Sequence, residues 1–374
     1  VPDRAPPAPA TVVRSSRPVV PLEPSPNRLR LGEVRGRILD RANLTVAAQA
    51  FRRAEAQGNV VQAAQAPNPY VMLRQRRVSN FEVFNSGFGE FEVGVPIELG
   101  HKRRARVLQA MAEASAISEE VRHVTADTLR DAELAFYRTL RIGEELEVAR
   151  DQARVAAELR DLADVRAREG KDSRVPMLRF SAAADDAGLD VQDLERHYER
   201  ACRVLDEFIG AESGSTDGVD GDWDGATLTA SDKASAVKAL ERHPSRLAAD
   251  QSAAAADRAI RRADADVWPK LVVGLAAQRD FDQGEDYMGL SVLVPIPLFD
   301  RNEGNRVRAR AAARRARTEA RAVALGLSVE LDQAVIAYER ARRNAEGYED
   351  DILPTLQESL DLAEQAYKAG RSTY

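Results

Sequence analysis

Apolar and polar residues alternate strictly in two stretches of this chain. Between Phe88 and Leu99 one side carries Gly89, Phe91, Val93, Val95, Ile97 and Leu99, and the other Phe88, Glu90, Glu92, Gly94, Pro96 and Glu98. Between Tyr287 and Leu298 one side carries Met288, Leu290, Val292, Val294, Ile296 and Leu298, against Tyr287, Gly289, Ser291, Leu293, Pro295 and Pro297. A period of two places successive side chains on opposite faces of a sheet, so each stretch predicts a strand with one apolar face. A less regular strand precedes each, over 70–78 and 270–280, with Val71 and Leu73 corresponding to Leu271 and Val273. Twelve residues at a tilt near 45° is about the length that crosses a hydrocarbon layer. A half-buried hairpin in a soluble sheet alternates in the same way, so the pattern alone leaves both settings open.

The rest follows the helical period. Residues 101–169 contain no proline and one glycine, Gly143, and as one helix would reach roughly 100 Å. Val148, Val155 and Leu162 recur seven apart with Leu159 between them, which is coiled-coil spacing. A second long helix, 303–369, holds Pro354, which predicts a kink or break. Helices over 31–66 and 233–267 precede the strand pairs, stopped by Pro67 and Pro69 and by Pro269. After Gly170 the segment from Lys171 to Pro176 reads as a turn, and a return helix covers 176–209.

These elements occur twice. Asp161-Leu162-Ala163-Asp164, ending at Gly170, matches Asp361-Leu362-Ala363-Glu364, ending at Gly370; Pro69 matches Pro269, and Val95-Pro96-Ile97-Glu98-Leu99 matches Val294-Pro295-Ile296-Pro297-Leu298. The unit is about 200 residues, too long for a small solenoid repeat. The expected organisation is a proline-rich extended tail (1–30), a first repeat (31–210), an acidic Gly/Asp linker (211–232) and a second repeat (233–374). The second repeat stops before its return helix, so a longer parent chain is expected. The chain starts at Val1 without an apolar signal core, so any targeting peptide is expected to be absent or already removed.

Composition narrows the chemistry. Net charge is −6 and aromatic residues make up 5%, a poor match to a nucleic-acid binder. One cysteine, Cys202, excludes an internal disulfide and a cysteine-cluster metal site. The four histidines lie at no ligand spacing, and no nucleophile–base pair or phosphate loop is present, so no catalytic residue, metal ligand or cofactor is assigned. Asp220-Gly221-Asp222-Trp223-Asp224-Gly225 partly matches a calcium loop, but its twelfth position is Ser231 where a bidentate glutamate is needed; an ordinary acidic linker is the better account.

Phe91-Glu92-Val93-Gly94-Val95-Pro96-Ile97-Glu98-Leu99-Gly100-His101-Lys102-Arg103-Arg104 and Val294-Pro295-Ile296-Pro297-Leu298-Phe299-Asp300-Arg301-Asn302-Glu303-Gly304-Asn305 carry a resemblance that spans residues 31–374. The chain resembles the outer-membrane efflux protein family, the TolC-like channels, and the second run is most similar to its heavy-metal, CzcC-type branch. His101 departs from the pattern, standing where the family usually has a second glycine. The resemblance implies a mainly α fold with a small β part: long coiled-coil-like helices forming a periplasmic α-barrel, plus two β-hairpins per chain in a homotrimeric, 12-stranded outer-membrane β-barrel. It implies a passive exit duct for an efflux system of the resistance-nodulation-division type, with a periplasmic adaptor and an inner-membrane pump as partners. The adaptor-docking and gating tip maps to Glu169, Gly170, Lys171, Asp172, Ser173 and Arg174, and to Gly370 and Arg371. In this setting Phe91, Val93, Val95, Ile97, Leu290, Val292, Val294 and Ile296 face lipid, and Glu90, Glu92 and Glu98 face the lumen. Nine carboxylates in three chains would favour cations; solvated glutamates without a selective role are the alternative. The basic runs from Lys102 to Arg106 and from Arg306 to Arg321 would sit near lipid headgroups. A periplasmic adaptor or soluble coiled-coil scaffold is the competing function. An adaptor has one helical hairpin on a β-rich body, whereas two hairpins with duplicated strand pairs favour the channel.

Overall fold

The computed structural model describes residues 27–40, 42–76, 87–170, 173–223 and 229–368. In chain order the elements are β1 (Arg28–Leu29), α1 (Leu31–Leu39), α2 (Leu44–Ala64), β2 (Tyr70–Arg76), β3 (Phe88–Glu98), α3 (Lys102–Arg168), α4 (Arg174–Ile209) and β4 (Gly218–Val219). They continue with α5 (Ala230–Ala239), α6 (Pro244–Ala265), β5 (Lys270–Asp280), β6 (Glu285–Leu293), α7 (Glu303–Gly347) and α8 (Leu353–Lys368). Two compact units result, one from the described residues within Val1–Glu55 and Glu120–Thr227, the other from those within Ala56–Glu119 and Leu228–Tyr374.

The first unit is an orthodox buried core. Leu29, Val34, Ile38, Phe136, Leu140, Leu205, Ile209 and Val219 pack together, and β1 and β4 pair in parallel beside them. A carboxylate lies inside, along with the buried Thr139 and Thr216. Asp206 is 1% exposed, and its carboxylate accepts from Gly214 N (2.7 Å), Ser215 Oγ (3.1 Å) and Thr216 Oγ1 (2.5 Å). Those donors offset the cost of burying a charge. Gly210, at φ +64, ends α4 against the Ala42 carbonyl, where a Cβ would collide. Cys202 is buried, and that burial, with the nearby Asp206 charge, pushes its thiol up to about 11. Tyr137 stacks on Trp223 at 5.8 Å, Trp223 donates to Glu144 (2.7 Å), and Asp220 pairs with Arg30. The calcium-like segment is therefore tied into this unit by structural contacts as far as Trp223; Asp224 and Gly225 lie outside the described residues.

Several helices differ from their sequence-predicted extent. The helix expected over 31–66 is two helices, because the Asn43 side chain accepts from Thr45 N and Val46 N and so caps α2. The helix expected over 233–267 is likewise divided: α5 passes through a 3-10 turn, and Pro244 starts α6 at the position that needs no amide donor. The return helix begins at Arg174, earlier than expected, since Pro176 falls in its first turn. The long helix of the first repeat runs unbroken over Lys102–Arg168. Its counterpart is interrupted by a π-helical turn at Tyr348–Ile352, just ahead of Pro354. Proline has no N–H for the Asp350 carbonyl and its ring crowds that carbonyl; the wider turn absorbs the mismatch, and Thr355 Oγ1 takes up the Asp351 carbonyl at 2.8 Å.

The second unit carries a four-stranded antiparallel sheet in the order β2-β3-β5-β6. Phe281 N donates to Gly87 O (2.8 Å), extending the central pair, and Asp280 Oδ1 accepts from Asp282 N and Gln283 N to close the β5–β6 turn. The strand expected to reach Leu298 ends at Leu293, so Val294 and Ile296 lie beyond β6. The β5–β6 pairing ends at Val272 opposite Leu293, although β5 itself continues to Lys270; Pro295 and Pro297, just beyond, have no amide to contribute. The proline-rich tail lies outside the described residues up to position 26.

Candidate channel wall and strand–helix junction

Registry aligns the apolar side chains across all four strands. Leu73, Phe91, Ala277 and Met288 stand abreast in one row, and Val71, Val93, Leu275 and Leu290 in the next. Among the described residues neither row has a cover: Leu275 is 61% exposed, Leu290 71% and Met288 86%. Phe91, Val93, Val95, Ile97 and Val292 are exposed on the same face, and Val294 and Ile296 are exposed just past it. A soluble sheet buries its apolar face, and this one presents it.

The opposite face is polar and closely fitted. Tyr70, Gly94, Gly274 and Ser291 form one row. The two central glycines make room there. A Cβ at Gly94 would overlap the Tyr70 ring, and one at Gly274 would overlap Glu92 and Ser291. Glu92 is 6% exposed and its Oε1 accepts from Ser291 Oγ (2.8 Å) and Tyr70 OH (3.3 Å). Glu90 pairs with Arg74 (3.1 Å), directly opposite it on β2. Glu98 pairs with Arg106, whose Nη1 and Nη2 reach its two oxygens at 2.8 and 3.2 Å. That bond raises the Arg106 pKa, against the opposing effect of its burial. Sequence reasoning placed the three glutamates on one face but missed both arginine partners. The Arg74 pairing could have been found by counting register back from Glu90; the Arg106 pairing depends on the turn between strand and helix.

Both strand-to-helix junctions use the same device. Gly100 (φ +68) and His101 (φ +58) are left-handed before α3, and Asn302 (φ +58) is left-handed before α7. A second glycine would adopt that conformation without penalty, and histidine accepts it at some cost. Each long helix then grips the end of the helix before the sheet. Arg106 Nε donates to Ala63 O (2.9 Å), while Asn302 Nδ2 donates to Ala263 O (2.8 Å) and Arg306 pairs with Asp264 (2.7 Å). Ala63 and Ala263 are 200 residues apart, so the repeat recurs as a tertiary contact.

At the far end of α3, Arg166 and Arg168 occupy the last turn, where the helix dipole favours positive charge, and Gly170 takes φ +69. Glu169 and Gly170 end that helix; Ser173 stands at the N-cap position of α4 and Arg174 opens it. Lys171, Asp172, Gly370 and Arg371 lie outside the described residues. Among the described residues no helix is long and apolar enough to cross a membrane, and no group of three or more His, Cys, Asp or Glu side chains could hold a metal ion.

A sheet with one uncovered apolar face and one polar face, joined through left-handed turns to very long helices, has the build of one subunit of a β-barrel and α-barrel channel. The chain belongs to the outer membrane efflux protein family, whose model matches residues 38–211 and 236–374. It is similar to the cobalt-zinc-cadmium resistance protein CzcC of Cupriavidus metallidurans, at 26% identity over 340 residues, 89% of this chain and 78% of that protein. The fold is that of the outer membrane protein VceC of Vibrio cholerae (TM-score 0.75, 18% identity, 92% of this chain and 87% of that one). It is equally that of the open MtrE outer membrane channel of Neisseria gonorrhoeae (TM-score 0.72, 16% identity, 91% and 80%). The chain is thus an outer-membrane efflux channel component, and the adaptor or soluble-scaffold alternative gives way.

Proposed function

We propose that this chain is one third of a homotrimeric exit duct in the outer membrane, with a long periplasmic extension, fed by an inner-membrane pump through a periplasmic adaptor. The observation that carries the reading is the uncovered apolar face of a sheet whose outer strands, β2 and β6, each lack a second partner among the described residues. In hydrocarbon every backbone N–H and C=O needs a partner, so four strands must be closed by other copies; three copies make twelve strands, the expected barrel. Phe91, Val93, Val95, Ile97, Leu290 and Val292 then meet lipid, with Val294 and Ile296 at its rim. Glu90, Glu92 and Glu98 line the lumen, and the tip from Glu169 to Arg174, with Gly370 and Arg371, docks the adaptor. The cargo is divalent heavy-metal cations, a reading supported by the likeness to CzcC. Arg74 and Arg106 neutralise two of the three glutamates, so the lumen field is far weaker than nine bare carboxylates would give.

Two measurements test this. The protein should leave membranes only with detergent and run as a trimer; a monodisperse monomer in plain buffer overturns the channel assembly. A strain lacking the protein should lose tolerance to zinc, cobalt or cadmium, and unchanged tolerance to all of them removes the metal cargo while leaving the duct intact.

A further inference from the structure

A basic cleft of about 510 Å³ opens between the start of α3 and the end of α6, lined by Arg104, Leu108, Arg258, Arg261, Asp264 and Trp268 among others. Asp264 is its one carboxylate and is already held by Arg306 at 2.7 Å. Three guanidinium groups are therefore gathered with no acidic neighbour in the cleft left to neutralise them. Trp268 is 58% exposed and lies against Gly100, where a Cβ would overlap the indole. The cleft thus sits at the strand–helix junction, immediately beside the ends of β3 and β5.

Its direction can be read from the helix. Arg106 reaches Glu98 on the polar face of the sheet. Arg104 and Leu108 stand two residues before and after Arg106, about 160° away around α3. They turn away from Arg106, whose Nε reaches Ala63 O on α2, and so open toward α6 beside the ends of β3 and β5. We propose that this cleft binds the phosphate headgroup of a glycerophospholipid, whose acyl chains run up along the exposed sheet. Guanidinium groups bind phosphate through paired N–H donors, and an exposed tryptophan is favoured at headgroup level. The assignment rests on the proposed membrane setting of the sheet and adds a specific lipid site to it.

The test uses the full chain in detergent, with native mass spectrometry counting bound dioleoylphosphatidylglycerol as it is titrated. Wild type is expected to retain this lipid against millimolar inorganic phosphate, and the triple variant Arg104→Gln, Arg258→Gln, Arg261→Gln to bind it about 100-fold more weakly. Unchanged binding by the triple variant overturns the proposal, and displacement by inorganic phosphate reassigns the cleft to a free anion and also overturns it. If the triple variant does not fold, Arg261→Gln alone is read instead: a weakening of about fivefold supports the site and no change overturns it. Reconstitution of wild type into phosphatidylglycerol vesicles separates the two ideas. Failure to insert defeats the membrane reading itself, whereas insertion with undiminished lipid binding by the variant defeats only the cleft.

Discussion

The core around Phe136 and the four-stranded sheet solve opposite problems with the same residues. In the first, Val34, Ile38, Leu205 and Phe136 are at most 1% exposed, and the one buried carboxylate, Asp206, is surrounded by donors from its own chain. In the sheet the arrangement is inverted. Leu275, Met288 and Leu290 point outward, while Glu92 lies 6% exposed on the inner face with Tyr70 and Ser291 as donors. The driving force is identical, since apolar surface leaves water in both. What differs is where the apolar environment comes from: the core makes its own, and the sheet, in the proposed assembly, takes it from lipid on one face and from further strands at its edges. The core should therefore be stable by local packing alone, and the sheet only after assembly.

The sharpest way to break the comparison is to damage the core. Phe136→Ala removes a fully buried ring and should cost about 3–5 kcal/mol, read as a lower denaturant midpoint and rapid proteolysis within residues 120–223. Phe91→Ala, on the exposed apolar face of the sheet, should leave that midpoint where it is. Equal losses from both would mean that the two regions are not distinct in the way described.

Next comes the sheet itself. Leu275→Arg puts a charge among exposed apolar rows and should cost about 2–4 kcal/mol in a bilayer, seen as loss of the detergent-extracted oligomer. Gln278 belongs to the opposite face of the same strand, in the row of Arg74 and Glu90. Gln278→Arg should be tolerated; damage equal to that of Leu275→Arg would mean the faces are assigned the wrong way round. A smaller effect belongs to the inner glycines. Gly274→Val must displace Glu92 and Ser291 and should cost about 1–3 kcal/mol. Adding Glu92→Ala should recover part of that loss in a thermal unfolding series, and a simple sum of the two losses would show that the contact is not the cause.

Much of this inversion is legible in the chain before any coordinates. The alternation from Phe88 to Leu99 fixes both faces of β3, because a period of two admits no other arrangement. The repeat locates the second hairpin, and the absence of proline marks out α3. The less legible parts depend on partners distant in sequence. Alternation continues through Val294 and Ile296, yet the strand stops at Leu293, just short of Pro295 and Pro297, which have no amide to donate. Asn43 splits the first helix through a local side-chain turn that the apolar pattern does not register. Trp268, Arg258 and Arg261 carry no periodic signal at all. Only the approach of α6 to Gly100 brings them into one cleft with Arg104.

The smallest expected effect is chemical rather than energetic, and it compares the two environments directly. Cys202 is 4% exposed and its thiol is pushed up to about 11, so almost all of it is protonated at neutral pH. The thiolate is the reactive form, so native protein should resist a water-soluble maleimide for hours and react at once when unfolded. A cysteine placed on the sheet by Val93→Cys has no such shelter from its own chain. In detergent solution stripped of assembled oligomer it should react quickly, and in the membrane-embedded oligomer it should react only with a lipid-soluble reagent. The same substitution therefore reports two answers, whereas Cys202 reports one. If Val93→Cys were as inert as Cys202 in the unassembled protein, the sheet would be burying its apolar face within its own subunit, and the distinction between a self-made interior and a borrowed one would be lost.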